Sequence, residues 1–146
     1  RLPKERLDDD IDAILETGVK VEYGKRIGTD ITIQELRKEY DAVLITIGAS
    51  TDKKLGIEGE HAEGVISAVS FLRDVGEDKS PDLTGQEVAV IGGGNVSMDA
   101  VRTAKRLGAK KVSIVYRRRT ADMTALPAEI EGAVAEGIES AIQNQD

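Results

Sequence analysis

The sequence predicts an α/β chain built on a parallel β-sheet with flanking helices. Three observations point there. Strand-length apolar runs alternate with amphipathic helical segments, the connections between them are short, and one strand runs straight into a glycine-rich turn that opens a helix. Pro3 suits a first helical turn, and Leu7, Ile11, Ile14 and Leu15 then mark one helical face, with Gly18 as its stop. Val19–Tyr23 alternates as a strand does. Thr32 and Glu35 form a capping-box pattern for a short helix reaching about Glu39. Asp41–Ile47, closed by Gly48, is a near-continuous apolar run, the pattern of a strand buried on both faces.

Residues 49–64 read as a connection rich in Gly, Asp and Lys. Ser67 is placed to cap a helix carrying Val69, Leu72 and Val75. The polar stretch 76–82, with Pro81, reads as a surface linker and as the main boundary, there or slightly before. Beyond it the pattern is clearer: strand Glu87–Ile91, turn Gly92-Gly93-Gly94, helix Asn95–Leu107 with Gly108 after its end, strand Val112–Tyr116, helix Pro127–Glu136 stopped by Gly137, and a third strand opening at Ile138. The order β-α-β-α with short turns calls for parallel strands joined by right-handed crossovers.

Composition narrows the function. The 146 residues, 40% hydrophobic and 32% charged, suit one soluble domain or two small pieces of larger ones. One Phe, three Tyr and no Trp leave the core to Val, Ile, Leu and Ala. No apolar run reaches the roughly 18 residues of a membrane span, and no leader pattern opens the chain, so the expected location is cytoplasmic. Cysteine is absent, which excludes disulfides and thiolate metal or cluster ligation within this chain, and the single His61 reads as a surface residue. The acidic run Asp8, Asp9, Asp10 and Asp12 lacks the spacing of a calcium loop. No metal site is expected. A net charge of −7 argues against nucleic-acid binding. Yet Arg102, Lys105, Arg106, Lys110, Lys111, Arg117, Arg118 and Arg119 form an acid-free basic segment, which suggests a local anionic ligand. Arg102, Lys105 and Arg106 read as a solvated helix face; the triple Arg is less well explained that way.

The candidate chemistry centres on residues 90–99. Gly92, Gly94 and Ser97 fill a G-x-G-x-x-(small) pattern between a strand and a helix, the sequence mark of a Rossmann-type dinucleotide turn. Gly92 allows the tight turn, Gly94 lets a pyrophosphate approach the backbone, and Ser97 lets helix and strand pack closely. Asn95 and Val96 open the helix, whose free N–H groups and dipole favour phosphate. The alternative is an ordinary strand-to-helix turn without a ligand. No Lys-Ser/Thr follows at the spacing of a Walker A loop. At the end of the next strand, NAD-binding units place an acid for the ribose 2′-hydroxyl, whereas this chain has Arg117-Arg118-Arg119. Guanidinium groups there favour a 2′-phosphate, hence NADP(H) over NAD(H). Arg119 is the one best assigned to solvent or a partner. Asp99 is left between packing support and a polar contact to the dinucleotide.

These residues resemble a known family. The stretches Val90–Asn95, Met98-Asp99, Arg102–Ala104, Arg106–Ala109 and Tyr116–Arg118 look like the NADPH-binding domain of the glutamate synthase small-subunit family, which includes related parts of dihydropyrimidine dehydrogenase. Arg1–Lys4, Val19–Val21, Gly28–Thr32 and Tyr40–Ala49 resemble the end of the first pass of that family's flavin domain, and Gly56–Glu60 with Phe71-Leu72 its linker. The resemblance implies part of a two-dinucleotide-binding-domain flavoprotein: residues 1–50 closing a flavin-binding domain, 51–82 connecting, and 83–146 an incomplete NADP(H)-binding Rossmann domain. It implies that Gly92, Gly94, Asn95 and Ser97 hold pyrophosphate, that Arg117 and Arg118 hold the 2′-phosphate, and that Gly48 and Ala49 pass near FAD. It also implies that NADPH reduces FAD, with electrons moving on through iron–sulfur clusters to a partner subunit.

The family's cysteine-rich region and first FAD glycine fingerprint have no counterpart here, so the expectation is a piece of a longer enzyme that does not hold FAD alone. No side chain stands out as a catalytic acid or base. The competing expectation is a non-catalytic dinucleotide-binding or assembly fragment, whose exposed strand edges favour self-association.

Overall fold

The computed structural model describes residues 3–142, which separate into two units divided between Ile47 and Gly48. In the first, helix α1 (Lys4–Leu15) starts after Pro3, and Gly18 turns the chain at φ +86°. Its apolar stripe is exposed throughout; Ile14 is 57% accessible. Helix α2 (Ile33–Glu39) begins with the expected capping box. Thr32 Oγ1 accepts the Glu35 N–H at 3.2 Å, and Glu35 Oε2 accepts the Thr32 N–H at 2.8 Å. That backbone hydrogen bond, with a second from the Thr32 hydroxyl, holds the Glu35 carboxyl below the usual glutamate range.

Neither strand expected in this unit forms. Val19–Tyr23 and Asp41–Ile47 carry no ladder, and Leu44 and Ile47 are 88% and 85% accessible rather than buried on both faces. A strand needs a neighbour for its N–H and C=O groups and a layer for its side chains, and the described residues of this unit offer neither. The apolar pattern marks a segment suited to a sheet, not one.

The second unit contains the sheet. Its connection is tied down locally: the Glu60 carboxylate accepts the Leu55 and Gly56 N–H groups at 2.7 and 2.9 Å. Ser67 caps α3 (Ala68–Gly76) as expected, accepting the Ser70 N–H while donating to Asp52. Strands β1 (Glu87–Ile91), β2 (Lys111–Tyr116) and β3 (Glu139–Ile142) are parallel and adjacent in that order. Residue pairs Val88–Val112 and Ile114–Ser140 set the register. Helix α4 (Asn95–Arg106) joins β1 to β2, and α5 (Pro127–Ala135) joins β2 to β3. The third strand forms one residue after the Ile138 start expected from the sequence.

The core lies on one face of the sheet. Met98, Val101 and Ala104 of α4 pack against Val112 and Ile114 of β2, and Phe71 of α3 closes the other side of α4. Residues on both sides of the 76–82 stretch therefore share one core. Among the described residues, five of the eleven buried hydrophobics are alanines, which brings α4 and α5 close to their neighbours without aromatic bulk. Along β1 the inward Val88 and Val90 are half-buried, while Ile91 on the opposite face is 61% accessible.

One basic stretch departs from its expected solvated role. Arg102 lies half-buried between α4 and α5, with Nη1 2.8 Å from Glu129 and Nε 2.8 Å from Glu136; Arg106 reaches the same Glu136 oxygen at 2.7 Å. Gly132 makes room for this, because a Cβ there would come within 3.2 Å of the Arg102 guanidinium carbon. Hydrogen bonds from Arg102, then Arg106, hold the Glu136 carboxyl below its ordinary range. Two like-charged side chains on one helix face thus find their counterions on the next helix, a pairing that the spacing within either helix does not reveal.

Candidate functional site

The glycine turn sits at the carboxyl end of β1, where ligands of open parallel sheets bind. Each glycine has a separate reason. Gly92 has φ +139°, and a Cβ on it would lie 2.5 Å from Ser97 Oγ. The small third position of the motif therefore matters through its distance to the first. Gly93 is buried, and a Cβ there would come within 2.8 Å of the Tyr116 ring. Gly94 is the N-cap of α4 and would meet only Thr124 Oγ1, at 3.5 Å. The N–H groups of Asn95 and Val96 precede the first intrahelical hydrogen bond, so they and the α4 dipole present partial positive charge at this end of the sheet.

The Asn95 side chain is committed elsewhere. Its Oδ1 accepts the Leu126 N–H at 2.8 Å, while the Gly93 carbonyl accepts the Ala125 N–H at 3.0 Å. These bonds lay residues 124–126 against the glycine turn and set the start of α5. The Asn95 side chain thus positions a loop and leaves its main-chain N–H at the helix start. Ser97 is 9% accessible and Val96 is exposed. Asp99 is exposed on α4.

At the end of β2, Tyr116 stands against Gly93, and its hydroxyl donates to the Asp122 carbonyl at 2.9 Å. From the sequence, Tyr116 is the last strand residue before the arginines, and Asp122 carries no motif signal. A 3₁₀ turn, Thr120–Asp122, follows the arginines. Arg119, expected to face solvent or a partner, is exposed but held: its Nε and Nη2 lie 3.1 and 3.2 Å from the two Asp122 carboxylate oxygens, and its N–H reaches Oδ2 at 3.3 Å. The Arg119 hydrogen bond is the main reason the Asp122 carboxyl lies below the usual range. Arg117 and Arg118 are exposed and form no ion pair among the described residues. Gly48 has φ +66° with open space around it. His61 is exposed, as read. Among the described residues no group of three or more His, Cys, Asp or Glu could hold a metal, and no helix is long and apolar enough to cross a membrane.

A parallel β-α-β unit with a glycine turn and a small residue three positions on defines a Rossmann-like dinucleotide fold. Residues 3–142 match the family model described as pyridine nucleotide-disulphide oxidoreductase, and the chain belongs to that family. It is 44% identical over 140 residues to the NADP(+)-dependent formate dehydrogenase subunit beta of Moorella thermoacetica, covering 94% of this chain and 20% of that protein. It is 40% identical over 141 residues to the NADPH-Fe(3+) oxidoreductase subunit beta of Geobacter sulfurreducens, covering 94% of this chain and 21% of that protein. The small chain of the NADPH glutamate synthase of Escherichia coli is 34% identical over 132 residues, covering 84% of this chain and 28% of that one. The resemblance to the glutamate synthase small-chain group is thereby established. The chain spans about a fifth of the length of the first two relatives.

Proposed function

We propose that this chain is the NADP(H)-binding portion of a flavin-dependent oxidoreductase of the glutamate synthase small-chain type. In this reading the pyrophosphate lies over Gly92–Gly94 against the main-chain N–H groups of Asn95 and Val96, with Ser97 packed beneath. Arg117 and Arg118 take the 2′-phosphate. The observation that carries the reading is the division of labour in the arginine run. Arg119 is neutralised by Asp122, while Arg117 and Arg118 follow β2 without an ion pair among the described residues. Two such guanidinium groups match a dianion and give a ribose hydroxyl little.

The chemistry of the cofactor pair is hydride transfer from nicotinamide to flavin. This chain's part is to bind and orient, and no side chain at the glycine turn is placed as an acid or base. Among the described residues, those near Gly48 offer one left-handed glycine and no phosphate-binding turn, which does not amount to a site for FAD. The relatives are named as subunits or chains of larger enzymes, which supports a larger partner subunit here.

Calorimetric titration with NADPH and NADH, at low and moderate salt, tests the assignment. The expected result is NADPH preference that weakens with salt and falls in Arg117→Ala and Arg118→Ala. Equal affinity for the two dinucleotides overturns the arginine assignment; binding of neither overturns the cofactor reading. A second reading, an assembly module without turnover, is favoured by the exposed apolar residues Leu44, Ile47 and Ile91. It predicts self-association in light scattering together with no dinucleotide binding.

A further inference from the structure

We propose that Arg119 sets dinucleotide preference without touching the ligand, by covering an acid that would otherwise turn the site toward NADH. The proposal rests on the NADP(H) reading above and adds to it the role of a residue that reading leaves aside. In NAD-binding units an acid at the end of the second strand reads the ribose 2′-hydroxyl. No acid occupies that place directly after Tyr116, yet the fold returns one to the neighbourhood. The Thr120–Asp122 turn folds back so that the Asp122 carbonyl accepts the Tyr116 hydroxyl at 2.9 Å, and the same Tyr116 ring lies against Gly93 of the phosphate turn. One tyrosine thus spans from the glycine turn to Asp122.

The Asp122 main chain is thereby tied to the end of β2, the place that reads the ribose in NAD-binding units. A bare carboxylate there would repel a 2′-phosphate and accept a hydrogen bond from a 2′-hydroxyl. Arg119 prevents both. Its fork engages both Asp122 oxygens, at 3.1 and 3.2 Å, and its own N–H adds a third contact at 3.3 Å. The three consecutive arginines accordingly have two tasks: Arg117 and Arg118 supply cations, and Arg119 cancels the anion. Arg119 is a positioning residue in this scheme, acting through Asp122.

The test is a double-mutant cycle on the NADPH-to-NADH affinity ratio, measured by calorimetry on the full chain. Arg119→Ala is expected to lower the ratio by roughly five- to tenfold, the effect of one newly exposed charge at short range in a hydrated site. NADH affinity is expected to hold or rise. Asp122→Asn added to Arg119→Ala should return the ratio to near the wild-type value, and Arg119→Lys should keep it. Far-UV circular dichroism on each variant separates these effects from unfolding. An unchanged ratio in Arg119→Ala overturns the proposal. So does a double variant as impaired as the single, because Arg119 would then be acting as a cation on the ligand. A wild-type ratio near one, or a ratio insensitive to Arg117→Ala and Arg118→Ala, overturns the underlying reading instead and the proposal with it.

Discussion

Gly92→Ala is the sharpest probe of the turn, because the structure separates its cost into two parts. The first is backbone: at φ +139° a side chain is strained, at about 1–3 kcal/mol. The second is contact: the new Cβ would lie 2.5 Å from Ser97 Oγ but 3.8 Å from Ser97 Cβ. Only the hydroxyl is in the way. Ser97 is 9% accessible, and overpacking of this kind costs about 1–3 kcal/mol. The single variant should lose about 2–6 kcal/mol, the sum of the two. In Gly92→Ala/Ser97→Ala the contact disappears and the backbone cost stays. Ser97→Ala alone should lie within about 1 kcal/mol of wild type, since the change removes only one hydroxyl. Urea unfolding followed by far-UV circular dichroism measures all four proteins, with a constant slope confirming that native and unfolded states are comparable. A wild-type unfolding midpoint for Gly92→Ala, or no recovery on removing the Ser97 hydroxyl, would refute this account of the turn.

Three further outcomes are expected. Met98 is fully buried between α3, α4 and the sheet, so Met98→Ala should lower stability by about 2–5 kcal/mol in the same assay. A loss under about 1 kcal/mol would mean that the site collapses around the smaller side chain. Glu136 is held below its ordinary value of 4.5 by Arg102 and Arg106, so its contribution is complete above about pH 4.5 and disappears as pH falls through the lower folded value. The urea midpoint should therefore fall on acidification below that point, and Glu136→Gln should flatten this part of the profile. Tyr116→Phe removes the hydrogen bond to the Asp122 carbonyl, for a loss of about 0.5–1.5 kcal/mol. Hydrogen exchange should show the change concentrated in residues 120–122 rather than in β1 or α4.

Where a signal is local, sequence and structure agree closely. The Thr32–Glu35 capping box, the Ser67 cap, Gly108 and Gly137 after their helices, and the run from Glu87 through Tyr116 all lie in short windows. In each the residue types alone satisfy or break the backbone. The glycine turn was legible for the same reason, since a φ of +139° excludes most side chains. The Asp41–Ile47 run shows the opposite case. Its apolar pattern is genuine, but a strand is a relation between segments, and nothing in the run carries its partner.

By itself, then, the sequence determined the α/β class, the position of the dinucleotide-type turn and the basic end of β2, because those depend on periodicity, backbone freedom and charge within a few residues. Only the tertiary structure decided which arginines are committed. Arg102 and Arg106 meet glutamates some thirty residues away on α5, Arg119 closes on Asp122, and the Asn95 amide is turned to Leu126. A charge or an amide takes its partner from whatever the fold brings within about 3 Å, and that distance is fixed by how α4, α5 and the sheet pack, not by spacing along the chain.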